Sequence, residues 1–242
     1  MGQKKLQRFE AINSFSNVLQ YPAGMAGRWK DYFRNDNPIL LELACGKGEY
    51  TVALSAMHPE KNFIGIDLKG NRIYIGALRC LKNNQHNAAF LRTQIEKIDE
   101  YFLPGEVSGI WITFPDPQLR TSRAKKRLTH PRFLRLYQKI LKPGAPVHLK
   151  TDSPALYDFT RLIVSLYELP LLAYSEDVYG EPELSPELAI KTHYESLDIA
   201  GSRKIFYLSF SLPAEPLPQL DDKLQELLKE LEKSATEPPS AQ

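Results

Sequence analysis

Short apolar runs alternate with amphipathic stretches along most of the chain. Residues 39–44 are apolar apart from Glu42 and stop at a glycine turn, the pattern of a strand buried on both faces. Residues 49–57 read as a helix and 62–67 as a second buried strand, closed by Asp67. The spacing predicts a helix over 71–81, with Ile73, Ala77 and Leu81 on one face. Residues 88–93 and 109–114 are further strands. A helix over 131–141 opens on a proline and is closed by Pro143-Gly144. Residues 147–151, 171–175 and 204–212 read as strands, and 154–167 as a helix.

Such alternation builds an open, mostly parallel α/β sheet with helices on both faces. Sheets of this kind bind ligands outside the carboxyl ends of their strands, near the switch in strand order. Four polar signals fall at strand ends by this reading: the turn at Gly46, Asp67, Asp116 and Asp152. Residues 39–213 are expected to form one domain. Residues 1–38 mix aromatics with Lys4, Lys5 and Arg8 and read as an arm or a helix packed on that domain. Residues 214–242 read as a proline-rich linker, an amphipathic helix over 220–231 and, from 234, a disordered tail.

At 242 residues and 43% hydrophobic, the chain suits one α/β domain with short additions. No apolar run approaches the roughly 20 residues that span a bilayer. The first residues have no signal-peptide apolar core, and Leu6 breaks the myristoylation pattern. Cys45, Cys80 and five scattered histidines have no metal-ligand spacing. A cytoplasmic protein without a metal is the expectation. The net charge of +2 hides an asymmetry. Residues 1–213 hold 28 bases against 22 acids, and residues 214–242 hold three bases against seven acids. Arg120, Arg123, Lys125, Lys126, Arg127 and Arg132 follow one another with no acid between them. Such a patch suits a polyanion or is a solvated basic loop.

Two motifs carry chemistry. Glu42-Leu43-Ala44-Cys45-Gly46-Lys47-Gly48 occupies the first strand-to-helix turn, where Gly46 and Gly48 permit close backbone approach. Asp67 closes the next strand, where nucleotide-binding folds place an acid on the ribose hydroxyls. A dinucleotide turn wants a third glycine or alanine where Thr51 stands. With Glu42 ahead of it, the turn resembles motif I of class I S-adenosylmethionine-dependent methyltransferases. Another nucleotide and a purely structural turn are the remaining readings. The second motif is Phe114-Pro115-Asp116-Pro117 at the end of an apolar strand, either a tight turn or a rigidly held acid.

The tetrad, its basic sequel, the Leu-Lys-Pro-Gly turn at 141–144, Thr151-Asp152 and Thr192-His193-Tyr194-Glu195 together resemble the bacterial tRNA (guanine-N7)-methyltransferase family over about residues 39–212. The resemblance implies a Rossmann-like class I methyltransferase fold, with a seven-stranded sheet whose last strand is antiparallel. It implies S-adenosylmethionine as cofactor, tRNA as substrate and methylation of the variable-loop guanine at tRNA position 46, by a monomer or homodimer without an obligate protein partner. It assigns the cofactor to Glu42, Gly46, Gly48, Asp67, Gln94 and Asp116, and catalysis to Asp116. It assigns the substrate to Arg120, Asp152, Thr192, His193, Tyr194 and Glu195, and the rest of the basic run, Arg123, Lys125, Lys126 and Arg127, is expected to hold tRNA phosphates. The chain departs from the family in having Ala44 for a glycine, Gln94 for an acid or amide position, Gln118 for a tryptophan and Arg120 for a lysine. Ala44 is expected to need a slightly different turn. Another class I RNA or protein methyltransferase is the nearest alternative. A non-catalytic RNA-binding module on the same fold is a second.

Overall fold

The computed structural model of the chain describes residues 2–197 and 201–236. Eight strands form one sheet: β1 (Val18–Gln20), β2 (Ile39–Leu43), β3 (Asn62–Asp67), β4 (Ala88–Arg92), β5 (Val107–Thr113), β6 (Pro146–Thr151), β7 (Leu171–Ser175) and β8 (Phe206–Ser211). Their order is β1-β4-β3-β2-β5-β6-β8-β7, and β8 alone runs antiparallel to its neighbours. The count is one more than the seven expected. The added strand, β1, comes from the N-terminal segment and pairs its three residues in parallel with Phe90, Leu91 and Arg92. Three residues are too few to show a period, so hydrophobic pattern cannot announce them.

Among the described residues seven α-helices accompany the sheet: α1 (Gly2–Ala11), α2 (Trp29–Phe33), α3 (Glu49–Met57), α4 (Gly70–Lys82), α5 (Pro131–Gln138), α6 (Pro154–Leu166) and α7 (Asp221–Thr236). Strand side chains alternate between two cores, as the pleat requires. Leu41, Leu43, Ile64, Ile66, Ile110 and Ile112 pack with α2, α5 and α6 on one face. On the other, Phe63 and Trp111 pack with Tyr50 and Leu54 of α3, and Phe90 packs with Ile73 and Ala77 of α4. Over Trp111 and Tyr207 the second face is covered by the irregular chain that contributes Val178, Ile190 and Ile205. That chain carries the Thr192–Glu195 motif to the sheet.

The helices behind the site start where local chemistry fixes them. Pro131 and Pro154 sit in the first turns of α5 and α6, where a missing N–H costs nothing. His130 Nδ1 accepts from Arg132 N at 3.1 Å, and Ser153 Oγ from Leu156 N at 3.3 Å. The segment read as a linker is seated on the domain. Leu217 is buried, and Gln138 Nε2 donates to the carbonyls of Pro213 and Glu215 at 2.8 and 2.9 Å. Asp221 opens α7 with a bidentate contact to Arg135 at 3.0 and 2.5 Å. Residues 234–236, expected to be disordered, belong to α7, and the rest of that expected tail lies outside the described residues.

Candidate active site at the switch point

The strand order reverses direction at β2, with β3 on one side and β5 on the other. Gln94, Asp67, the glycine turn, Asp116 and Asp152 follow the carboxyl ends of β4, β3, β2, β5 and β6, five consecutive neighbours in the sheet. Residues scattered through the sequence from Gly46 to Asp152 thereby share one edge. This is the crevice in which open α/β sheets hold ligands.

The turn after β2 is held from below and from the side. Glu42 is buried beneath it and accepts from Thr51 N at 2.7 Å, Thr51 Oγ1 at 2.6 Å and Thr113 Oγ1 at 3.0 Å. Thr51 lies in the first turn of α3, so the carboxylate caps that helix from inside the sheet. Asp67 Oδ2 accepts from Gly46 N at 2.9 Å and Oδ1 from Lys69 N at 2.7 Å. Gly46 and Gly48 both take left-handed φ, +57 and +68. A Cβ on Gly48 would strike the Phe90 ring at 2.4 Å, and one on Gly46 would meet Tyr194 at 3.4 Å. Ala44 adopts the left-handed conformation itself, φ +54, at a cost of about 1 kcal/mol for a residue with a Cβ.

Burial pushes the Glu42 carboxyl up to about 7, against the bonds from Thr51 and Thr113 that favour its ionised form. A folded-state value raised above the unfolded one contributes stability that is complete below about pH 4.5 and lost as pH rises through about 7, on the order of 3 kcal/mol. The Glu42→Gln variant keeps an acceptor for Thr51 and cannot ionise. Its Tm relative to wild type should therefore climb by several degrees between pH 5 and pH 8. A Tm difference that is flat over that range would show Glu42 to be ionised throughout.

The tetrad leaves β5 through a strained bend. Phe114 and Gln118, on either side of Pro115-Asp116-Pro117, both have φ of +47. Phe114 N donates to Lys150 O at 2.8 Å, tying the bend to β6. Asp116 is exposed and accepts from Gln118 N at 3.1 Å, a turn that orients its carboxylate. The following basic residues form a 3-10 helix, Thr121–Lys126, anchored by buried Ala124. Arg120, Arg123, Lys125 and Lys126 are exposed on it or next to it. Arg127 departs from the expectation that it holds phosphate. It is buried, stacks over Phe159 at 4.4 Å, and donates to the carbonyls of Pro117, Gln118 and Leu119 at 3.1–3.3 Å. Its guanidinium fixes the chain just beyond the tetrad.

Asp152 is half-buried beside the tetrad, and its carbonyl accepts from Ser202 Oγ at 2.8 Å. The helix cap beside it is made by Ser153. Thr192 is buried, and Arg72 of α4 lies over the Tyr194 ring at 5.5 Å. His193 N donates to Glu49 Oε1 at 3.4 Å, so the motif bridges to the first turn of α3. Glu195 faces inward to Lys150, 3.3 Å away, and accepts from the Tyr179 hydroxyl. Burial pulls the Lys150 ammonium below its ordinary range, and Glu195 opposes that shift. Sequence reasoning passed over Lys150, Tyr179, Thr51 and Thr113. Lys150 was the detectable one, a charge next to the last residue of a mostly buried strand. Gln94 is exposed at the far end of the crevice. Among the described residues no helix is long and apolar enough to cross a membrane, and no group of three His, Cys, Asp or Glu side chains could hold a metal.

A mostly parallel sheet with an antiparallel strand slotted beside its edge, a glycine turn after its first central strand and an acid after the next defines the class I methyltransferase fold. The 16S rRNA (adenine(1408)-N(1))-methyltransferase from Catenulisporales acidiphilia shares it with a TM-score of 0.56 at 16% identity, over 78% of this chain and 93% of that one. The methyltransferase family model Methyltransf_4 matches residues 36–208. The chain is 48% identical over 213 residues to the tRNA (guanine-N(7)-)-methyltransferase of Porphyromonas gingivalis, covering 83% of this chain and 86% of the relative. It is 43% identical over 231 residues to the enzyme of the same name from Bacteroides thetaiotaomicron, covering 92% and 91%. The chain belongs to the tRNA (guanine-N7)-methyltransferase family.

Proposed function

We propose that this protein transfers a methyl group from S-adenosylmethionine to N7 of a guanine in tRNA, the variable-loop guanine at tRNA position 46, forming 7-methylguanosine. The observation that carries this reading is the placement of Asp116. It is an exposed carboxylate on a rigid bend, between the glycine turn on the neighbouring strand and four exposed cations within ten residues downstream. The crevice fits the cofactor. Gly46 presents backbone toward Tyr194 across a gap that a Cβ would narrow to 3.4 Å. The Asp67 carboxylate holds two amides and has further lone pairs for the ribose hydroxyls. Gln94 lies on the side of Asp67 where the adenine would fall. When bound, the cofactor supplies a sulfonium methyl.

The residues do the rest by placement. Guanine N7 carries a lone pair and no proton, so the transfer needs alignment and no strong base. Asp116 orients the guanine and offsets the positive charge that grows on it. Asp152, just past the strand that neighbours the tetrad's, and Thr192 contact the base in this reading. Arg120, Arg123, Lys125 and Lys126 hold the phosphates. Transcripts made with 7-deazaguanine lack the N7 nucleophile and should accept no methyl group, whereas ordinary transcripts should. Equal acceptance by both would place the chemistry on another atom.

A further inference from the structure

Lys150, next to the last residue of β6, has a completely buried side chain. An ammonium in such a place persists only when its charge and its protons are answered. Its Nζ donates to the carbonyls of Leu188 and Ile190 at 2.8 and 2.9 Å and to the Tyr179 hydroxyl at 3.3 Å, and it pairs with Glu195 Oε2 at 3.3 Å. The rings of Tyr50, Phe114 and Tyr179 enclose it, with centroids 5.6, 5.7 and 5.4 Å away. Its own carbonyl accepts from Phe114 N. One residue therefore touches the strand that leads to Asp152, the first residue of the tetrad, the start of the helix beyond the glycine turn, and the chain bearing Thr192 and Tyr194.

We propose that Lys150 is a positioning residue for methyl transfer: by gathering the Leu188 and Ile190 carbonyls and the Glu195 carboxylate, it locks residues 188–195 over the glycine turn and sets Thr192 and Tyr194 against Asp116. The inference rests on the reaction proposed above. Glu195 then acts through Lys150, its carboxylate occupied by Lys150, Tyr179 and the Thr192 amide at 3.4 Å. A lysine suits the task because three donors on a flexible stem can meet acceptors from different segments. Methionine would fill the same space and meet none of them.

The test uses the full chain with Lys150→Met and with Lys150→Met/Glu195→Gln, which removes both charges and so protects the fold. Lys150→Met should lower kcat by about 30-fold or more while KM for tRNA moves by less than about threefold, because the exposed cations are untouched. Proteolysis between residues 176 and 197 should quicken by about tenfold. The double variant should regain about half or more of the lost Tm and remain within about twofold of Lys150→Met in kcat. Recovery of kcat together with Tm would reduce Lys150 to a structural part and overturn the proposal, as would cleavage at the wild-type rate. If wild-type protein forms no 7-methylguanosine, the reaction itself is wrong. The cleavage comparison would still decide whether Lys150 holds the segment.

Discussion

Replacing Asp116 with alanine should lower kcat by about 100-fold or more and leave Tm and tRNA affinity close to wild type. The expectation of an intact fold follows from how little the side chain supports. Asp116 is exposed, and its carboxylate makes a single turn bond to Gln118 N. The bend around it is fixed by other groups, the two prolines, the Phe114–Lys150 backbone bond and the Arg127 guanidinium. The catalytic loss follows from charge and place. Methylation leaves guanine positive, and a carboxylate held beside it stabilises the transition state more than the neutral base. Asp116→Asn separates the two contributions. It keeps an acceptor for the turn and can still orient the base, so a kcat between those of alanine and wild type assigns the difference to charge. Single-turnover rates at saturating tRNA are the measurement. Near-wild-type turnover in Asp116→Ala would remove Asp116 from the chemistry.

The second large effect is electrostatic. Arg120, Arg123, Lys125 and Lys126 are exposed in one short stretch. If these four cations each replace a counterion on tRNA, log affinity should fall with log salt at a slope of about −3, which is about 60-fold between 50 and 200 mM. Changing all four to glutamine should abolish most of that slope and most of the affinity at low salt, with little change in Tm. Arg127→Gln should do the opposite. Its guanidinium is buried on carbonyls of residues 117–119, so its loss should lower Tm and kcat and keep the salt slope. Titrations of tRNA at several salt concentrations distinguish the two groups. An Arg127 variant that flattens the salt slope would return it to the phosphate-binding set.

The central elements were legible because their signals are local and repeated. The strand ending at Asp67 and the helix Glu49–Met57 follow directly from apolar period and flanking turns. The sheet edge was legible through convergence, since a glycine turn and several acids fell at strand ends. What escaped depends on partners far away in sequence. The strand Val18–Gln20 is defined by its pairing with β4, and its own three residues are unremarkable. Arg127 cannot be told from Arg123 by sequence, because the difference is that the chain turns Arg127, just past a short 3-10 helix, over Phe159. Lys150 and Glu195 are 45 residues apart, and only the fold makes them a pair. Ala44 shows the reverse case. A missing glycine suggested an altered turn, and the alanine in its place takes the left-handed conformation that favours glycine.

The most direct measurement incubates the protein with unmodified tRNA and S-adenosylmethionine, then digests the RNA and identifies its methylated nucleosides. The account predicts 7-methylguanosine as the product, arising from the variable loop and formed about 100-fold or more slowly by the Asp116→Ala variant. A methyl group on any other atom, or no transfer by a protein that binds both tRNA and the cofactor, would contradict it.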